Sequence, residues 1–194
     1  MGRHILLIQG HPDADKPHFC HALEESYARG AIAAGHEVKR ISVATLEFPI
    51  LRSESEWKDG PLPAGLAEAQ AAIKWAEHIV FVFPLWMGDM PALLKGFLEQ
   101  VARPGFAFPR DRNPMLHKAL KGRSARVIVT MGMPALVYRW FFFAHSIRSL
   151  ERNILGFVGI HPVRDTIIGM VGNLDARAER KWLDKLERLG SLGN

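Results

Sequence analysis

Ile79-Val-Phe-Val-Phe-Pro-Leu-Trp-Met-Gly-Asp-Met90 is the stretch that decides the fold, together with the segment Pro91-Ala-Leu-Leu-Lys-Gly-Phe-Leu-Glu-Gln-Val101 that follows it. The opening apolar run is rich in β-branched and aromatic residues, which is typical of a strand buried on both faces of a parallel sheet. Pro84 ends the strand because proline cannot donate to a sheet ladder, and Pro91 suits the start of a helix. The loop 84–90 is therefore predicted at the carboxyl edge of a sheet, where open α/β folds bind ligands.

The rest of the chain repeats this alternation of buried strands and amphipathic helices. Strands are predicted at 4–9, 38–43, 79–83, 125–130 and 162–170. Helices are predicted at 18–34, 64–77, 91–101, 138–153 and 175–189. An irregular excursion, 44–63, and a long basic loop, 103–124, complete the chain. Five strands alternating with helices predict an α/β fold with a doubly wound parallel sheet and helices on both faces, as one domain over residues 1–194.

Composition narrows the class of protein. A chain of 194 residues that is 48% hydrophobic suits one well-filled domain. It has no apolar run of about 18 residues, so an integral membrane protein is not expected. The N-terminal apolar run is too short for a signal peptide, and Leu6 stands where a myristoylation motif needs Ser or Thr. A single cysteine, Cys20, excludes an intramolecular disulfide. We therefore expect a soluble cytoplasmic protein.

The formal net charge of +5 and the pI of about 9.6 indicate an anionic partner. Nucleic acid, a membrane surface and phosphate-bearing ligands all fit such a charge. The positive residues are spread along the chain, and the densest stretch, 110–126, has no interleaved aromatic residues for stacking on bases. This pattern disfavours nucleic-acid binding and favours an anionic cofactor.

The first loop, 10–18, lies at the start of a helix and carries several histidines. A helix N-terminus offers free N–H groups and partial positive charge, so His11, Lys16, His18 and His21 favour phosphate binding there. Two alternatives remain open. Asp13-Ala-Asp15 could serve only to cap the helix, with solvated histidines, or the histidines could hold a metal ion. No third ligand of suitable geometry accompanies His18 and His21, so no metal site is expected.

Several catalytic motifs are absent from the sequence. No G-x-G-x-x-G follows the first strand, and there is no G-x-x-x-x-G-K-[ST] or G-x-S-x-G. Cys20 lacks a paired base and an orienting carboxylate, which favours a packing role over a nucleophilic one. Rossmann-type dinucleotide binding, P-loop chemistry and Ser-based triads are thus disfavoured.

The segments Phe83-Pro-Leu-Trp-Met-Gly88 and Pro91-Ala-Leu-Leu-Lys-Gly-Phe97 resemble the NAD(P)H:quinone oxidoreductase family of flavodoxin-like flavoproteins, and the similarity extends from Ile5 to Leu189. The resemblance implies a flavodoxin-like sheet of strand order 2-1-3-4-5, in which loops 10–18, 84–90 and 130–138 converge. It also implies a flavin, FAD or FMN, reduced by NAD(P)H, a quinone or similar acceptor, and a homodimer. The reaction would pass a hydride from NAD(P)H through the flavin to the acceptor.

The resemblance assigns site residues by position in this sequence. Cofactor-binding positions are His11, His18, Phe19, Cys20, Pro84, Leu85, Trp86, Met87, Gly88, Thr130, Met131, Gly132 and Arg177. Catalytic positions are Tyr138 and, one residue away from the family histidine, His145. Two departures stand out: His18-Phe-Cys20 replaces Ser or Thr followed by Phe-Asn, and the glycine-rich segment after Thr130 is reduced to Met-Gly-Met-Pro.

Further expectations concern the acceptor pocket and the surface. Trp86 is predicted to form one wall of the acceptor pocket, with Phe106 and Phe108 as lids, and Arg110 or Arg112 to favour NADPH. The aromatic segment 140–143 fits either ordinary core or a dimer interface. Two other functions remain open: a flavin-binding ancillary subunit of a membrane transporter such as a potassium efflux system, and a flavodoxin-like domain without flavin.

Overall fold

A computed structural model describes residues 2–110 and 118–194, and it confirms the predicted sheet. The strands are β1 (His4–Gln9), β2 (Glu37–Ser42), β3 (His78–Pro84), β4 (Ser124–Thr130) and β5 (Val163–Ile168). They form one parallel sheet in the order β2-β1-β3-β4-β5. The chain reverses its direction of winding between β1 and β3, so the loops that follow these strands flank the crevice where such folds bind ligands.

The helices cover both faces of the sheet. They are α1 (Phe19–Ala33), α2 (Glu54–Asp59), α3 (Ala67–Trp75), α4 (Ala92–Val101), α5 (Ala135–Trp140), α6 (His145–Ser149), α7 (Gly156–Val158) and α8 (Ala176–Ser191). Single 3₁₀ turns occur at Val43–Thr45, Ala64–Leu66 and Val171–Asn173, and a π-helical turn at Leu150–Leu155 joins α6 to α7. Among residues 2–110 and 118–194, every helix falls short of the length or the apolar character that a membrane-spanning helix needs.

Two apolar clusters hold these layers together, one on each face of the sheet. Helices α1 and α8 cover one face, where Leu23, Tyr27 and Leu186 are buried. A Cβ atom at Gly30 of α1 would lie 1.9 Å from the Glu187 carbonyl oxygen, so the two helices approach too closely for any side chain there. Helices α3 and α4 and the segment 144–160 cover the other face.

The prediction of one continuous helix over 138–153 is wrong, because the structure has separate helices there. Helix α5 ends at Trp140, and Phe143 and Ala144 adopt left-handed φ angles of 53° and 47° before α6 begins. The Ala144 N–H donates to the Tyr138 carbonyl oxygen, 3.0 Å away, and this bond closes the turn. The excursion 44–63 also contains α2, whose N-cap Ser53 accepts from the Glu56 N–H. Both differences reflect local backbone bonds that apolar periodicity does not report.

Candidate functional site

Three loops meet at the carboxyl edge of the sheet, as predicted. Backbone bonds tie each loop to the neighbouring strand: Gly10 N–H to the Val82 carbonyl (2.8 Å), Leu85 N–H to the Thr130 carbonyl (2.8 Å) and Met131 N–H to the Ile168 carbonyl (2.9 Å). The loops therefore leave the sheet from fixed positions. We call the surface between them the carboxyl-edge site.

The start of α1 is fastened to β4 by side chains. Cys20 is 2% exposed, and its Sγ lies 3.2 Å from Thr130 Oγ1. Burial raises the pKa of the Cys20 thiol to about 11, so the thiolate is scarce at neutral pH. This environment supports the packing role that the sequence favoured for Cys20. Phe19, half-buried beside it, packs on the apolar cluster beneath α1.

Three histidines line the start of α1. The rings of His11 and His18 stack with centroids 3.8 Å apart, and His21 lies 5.4 Å from His11. Burial, and then the neighbouring His18, lower the pKa values of His11 and His21. The His18 N–H donates to His21 Nδ1 (3.2 Å), so the neutral His21 ring carries its proton on Nε2. The His11 and His21 rings are therefore less readily protonated than a free imidazole, and the His21 Nε2–H is a hydrogen-bond donor.

The two alternative interpretations of this loop can now be compared with its geometry. Asp13 does not cap α1: its carboxylate bonds His18 Nε2 (2.9 Å) and the Asp15 N–H (2.9 Å), and His18 is the N-cap residue. The His18 interaction lowers the pKa of Asp13. Within the described parts of the chain, no three His, Cys, Asp or Glu side chains are placed to share a metal ion.

Sequence reasoning missed Gln9, the last residue of β1, although a polar residue closing an apolar strand was a usable signal. Its Oε1 accepts from the His11 N–H (3.0 Å), and its Nε2 donates to the Cys20 carbonyl (3.2 Å) and to Glu24 Oε2 (3.0 Å). Burial raises the pKa of Glu24. Gln9 thus holds the histidine loop and the first turn of α1 in one geometry.

The loop after Pro84 is a two-residue hairpin. Trp86 and Asp89 exchange backbone hydrogen bonds of 2.9 and 3.0 Å around Met87 and Gly88, whose φ angles are 50° and 82°. Two positive φ angles in succession are typical of a type I′ turn. Met87 is fully exposed and Trp86 is half exposed, with its ring edge-on to His11 at 5.9 Å. The turn presents apolar side chains to whatever occupies the site.

Tyr138 and His145 differ in their access to the site. Tyr138 is 1% exposed, and its hydroxyl group bonds the Ser146 hydroxyl. His145 is exposed, and a Cβ atom built on Gly88 would lie 3.9 Å from its Nε2. Its Nδ1 lies 3.1 Å from the Phe142 carbonyl oxygen, which can only accept, so the neutral ring leaves Nε2 without a proton. His145 faces the loop, whereas Tyr138 is fixed in the core.

Other sequence-assigned residues are distributed unevenly. Thr130 and Met131 are buried at the end of β4, and a Cβ atom at Gly132 would meet nothing within 4 Å. Arg177 is exposed in the first turn of α8, at the same edge of the sheet. Arg112 lies outside the described residues.

The structure corrects the expected lids. Phe106 and Phe108 are each 7% exposed and belong to the apolar core. They follow the C-terminus of α4, about 15 Å along the helix from the loop at its other end. The Lys74 ammonium group lies 5.4 Å from the Phe106 ring, and Arg110 lies against Gly105, both at the amino edge. Within one chain, neither the lids nor Arg110 reach the carboxyl-edge site.

A broad apolar surface borders the site. Trp140, Phe141, Phe142 and Phe143 are 72%, 73%, 40% and 64% exposed, which overturns the interpretation of this segment as ordinary core. With Leu136 and Val137 they form what we call the aromatic patch. Contiguous exposed apolar surface of this kind usually marks an interaction site.

Comparison with known proteins supports a common fold and ancestry. A family model described as "Flavodoxin-like fold" matches residues 3–189. An uncharacterized NAD(P)H oxidoreductase of Haemophilus influenzae is 27% identical over 92% of this chain and 90% of its own length. An FMN-dependent NADH:quinone oxidoreductase of Macrococcus caseolyticus is 26% identical over 97% of both chains. The solved NAD(P)H:quinone oxidoreductase from Methanothermobacter marburgensis superposes with a TM-score of 0.81 at 24% identity, covering 98% of this chain and 96% of its own, and shows the shared fold.

Proposed function

This chain belongs to the family of proteins with a flavodoxin-like fold, and on that premise we propose that it is a flavin-dependent NAD(P)H:quinone oxidoreductase. The observation that carries the proposal is the carboxyl-edge site itself. A helix N-terminus lined by histidines lies beside a tight turn that exposes Trp86 and Met87. Such a site offers donors for a phosphate and a flat apolar surface for a ring.

The residues present fit a flavin mononucleotide. In the first turn of α1 the His21 N–H donates to the His18 carbonyl oxygen (2.9 Å), which leaves the Phe19 and Cys20 N–H groups; with the Nε2–H of His21 these two groups would hold the phosphate. Trp86 and the open space at Gly132 would flank the ring. We choose FMN over FAD because two curated relatives are named as FMN-dependent.

When bound, the flavin would supply the redox chemistry, accepting a hydride from NAD(P)H and delivering it to the quinone. The chain would supply binding and charge stabilisation. The Trp86 N–H is already engaged by Asp89, so we assign donation to the ring's polar edge to the Met87 and Gly88 N–H groups. Fixed backbone donors at a site of developing negative charge are an effective form of transition-state stabilisation.

His145 would accept and release a proton beside the turn at Met87 and Gly88. Because the Phe142 carbonyl fixes the Nδ1 proton, Nε2 is the atom that would accept a proton at the site and release it again. Tyr138 would act as a positioning residue, since its buried hydroxyl group bonds Ser146 in the helix that carries His145. We propose these roles in place of a direct catalytic role for Tyr138.

We further propose that the active form is a homodimer in which a second copy covers the aromatic patch. The patch adjoins His145, so covering it would exclude water from that side of the site. A quinone would stack against Trp86 from the open side of the turn.

The test begins with the purified chain reconstituted with FMN and then mixed with NADH or NADPH without oxygen. Bleaching of the flavin absorbance, followed by recovery on addition of a benzoquinone, is the expected result. His145→Gln should lower kcat about 10- to 100-fold, since general acid–base groups contribute at least this much. Arg148→Gln, an exposed neighbour on the same helix, serves as the matched control and should change kcat less than twofold. A chain that cannot be reconstituted would refute the proposal.

The exposed aromatic patch favours one second candidate, an ancillary subunit that docks on a membrane transporter. That function predicts a bound flavin that neither NADH nor NADPH reduces at a useful rate. The same absorbance experiment therefore separates the two functions.

A further inference from the structure

The amino edge of the sheet, opposite the carboxyl-edge site, carries a cavity of about 310 Å³ that is open to solvent on one side. We call it the amino-edge cavity. Its lining includes Arg3, His78, Arg123, Ser124, His161 and Arg164. A volume near 300 Å³ is at the lower end for small-molecule sites, so any ligand must be compact.

The arginines around this cavity carry more positive charge than the nearby side chains offset. Arg3 donates to the Ser124 hydroxyl (3.1 Å), Arg123 to the Ile73 and Lys74 carbonyls, and Arg164 to the Asn194 side-chain oxygen. Arg126, just behind the lining, donates to Thr166 Oγ1 and to the Asn194 backbone oxygen. Within residues 2–110 and 118–194, no Asp or Glu side chain forms an ion pair with any of the four. If the Asn194 oxygen belongs to a terminal carboxylate, it offsets only one of four charges.

His78 supplies the second observation. The residue lines the cavity and is 2% exposed, and its Nε2 is a buried polar atom without a partner among the described residues. An unsatisfied buried polar atom is rare in folded proteins and calls for a ligand, ion or water. The other nitrogen, Nδ1, lies 2.8 Å from Ser124 Oγ.

The protonation of His78 follows from these contacts. Burial, and then the charges of Arg3, Arg126 and Arg164, lower the pKa of His78 to about 3, so the ring is neutral at physiological pH. The Ser124 hydroxyl oxygen already accepts from Arg3. When that hydroxyl donates its hydrogen to Nδ1, the ring proton sits on Nε2 as a donor without an acceptor.

We propose that the amino-edge cavity binds a compact phosphate-bearing anion. Guanidinium groups match phosphate oxygens with paired N–H donors, and His78, as a residue of the cavity lining, reports on whether the cavity is filled. The ligand is either free phosphate or the phosphate group of a small organic molecule. This site lies at the other end of the strands from the flavin site, so it is independent of the proposed reductase activity.

The test follows the imidazole signals of His78 by NMR in ¹⁵N-histidine-labelled protein saturated with FMN, titrated with inorganic phosphate at constant ionic strength. His78→Asn identifies these signals by their loss. We expect saturable shifts of the His78 signals, and about tenfold weaker phosphate binding in Arg164→Gln. Arg52→Gln, which removes an exposed arginine that does not line the cavity, should change binding less than twofold.

Unmoved His78 signals, or equal binding by the wild type and Arg164→Gln, would overturn the proposal. Ribose 5-phosphate separates the two sources: tighter binding than inorganic phosphate indicates an organic ligand, and equal binding indicates free phosphate. If the chain fails to bind FMN, the titration is repeated without it, because signals of His78 are distinct from those of the carboxyl-edge histidines. Failure of one proposal therefore leaves the other measurable.

Discussion

The carboxyl-edge site has two sides that are built in opposite ways. On the α1 side, Cys20, Thr130 and Gln9 are each less than 5% exposed. Gln9 donates to the Cys20 carbonyl oxygen, and the Cys20 thiol bonds the Thr130 hydroxyl group. On the α5–α6 side, the aromatic patch leaves Trp140 and Phe141 more than 70% exposed. The first side is complete within one chain. The α5–α6 side has the composition of an interface, and its aromatic side chains become buried only when a partner covers them.

The largest effect is expected on the exposed side. Phe141→Asp should weaken self-association about 100-fold or more, because a charge at the centre of a buried aromatic contact costs several kcal/mol. Sedimentation of dilution series measures this effect. Ile50→Asp is the matched control, since Ile50 is similarly exposed (70%) but lies in the excursion 44–63. Equal association of both variants would show that the patch is not the dimer interface.

On the α1 side, a substitution should affect both folding stability and cofactor binding. Gln9→Leu leaves the buried His11 N–H and Glu24 carboxyl group without partners, and should lower the free energy of unfolding by about 1–3 kcal/mol. It should also weaken FMN binding. Gln70→Leu, which removes one bond to the Val101 carbonyl outside the site, should cost about 1 kcal/mol and leave FMN affinity unchanged. Denaturant titration measures the free energy of unfolding, and FMN fluorescence quenching measures the FMN affinity. An unchanged FMN affinity in Gln9→Leu would contradict the positioning role of Gln9.

Gly88 joins the two sides, because its turn lies against His145. Gly88→Ala places a side chain at a φ of 82°, which should cost about 1 kcal/mol of folding free energy even though the nearest atoms are 3.9 Å away. Gly172→Ala is the control, since Gly172 has open space and no positive φ. Thermal denaturation compares the pair. A stable Gly88→Ala chain would argue against the left-handed turn.

The smallest effect concerns pH. His11 and His21 have pKa values below 6.5 in the folded chain, so below that pH the unfolded chain binds protons first and stability falls. The FMN-free chain should therefore lose less than about 1 kcal/mol between pH 7 and pH 5.5, because solvent screens these partly exposed rings. Glu24, with a raised pKa, opposes this trend at the acidic end. The slope should be shallower in His21→Asn; identical slopes would exclude His21 as a contributor.

Much of this architecture could be predicted from the sequence. Continuous apolar runs predict buried strands. Pro84 and Pro91 gave the bounds of the loop between β3 and α4 to within one residue. The break after Trp140 could not be predicted, because apolar residues continue through Phe143 and the turn depends on the backbone bond from Ala144 to Tyr138. Exposure of the aromatic patch was likewise ambiguous, since aromatic composition fits core and interface equally.

The sequence predicted where the site lies, but it did not predict all of the contacts within it. Loop convergence follows from strand order, so His11, Trp86 and Thr130 were correctly expected at one edge. Phe106 and Phe108 were misjudged because a basic loop suggested a surface lid, whereas their side chains complete the core beneath α4. The hydrogen bonds of Gln9 to Cys20 and Glu24, and of Ser146 to Tyr138, join side chains to neighbouring helices, and apolar periodicity does not report such partners.

The contact between Cys20 and Thr130 also has a consequence for the order of assembly. The two residues are 110 positions apart, so a chain emerging from the ribosome displays the histidines of the first loop long before β4 exists. Contacts of such separation form late, because the intervening chain must first be ordered. Cofactor capture should therefore coincide with the docking of β4, which makes flavin uptake a reporter of the last stages of folding.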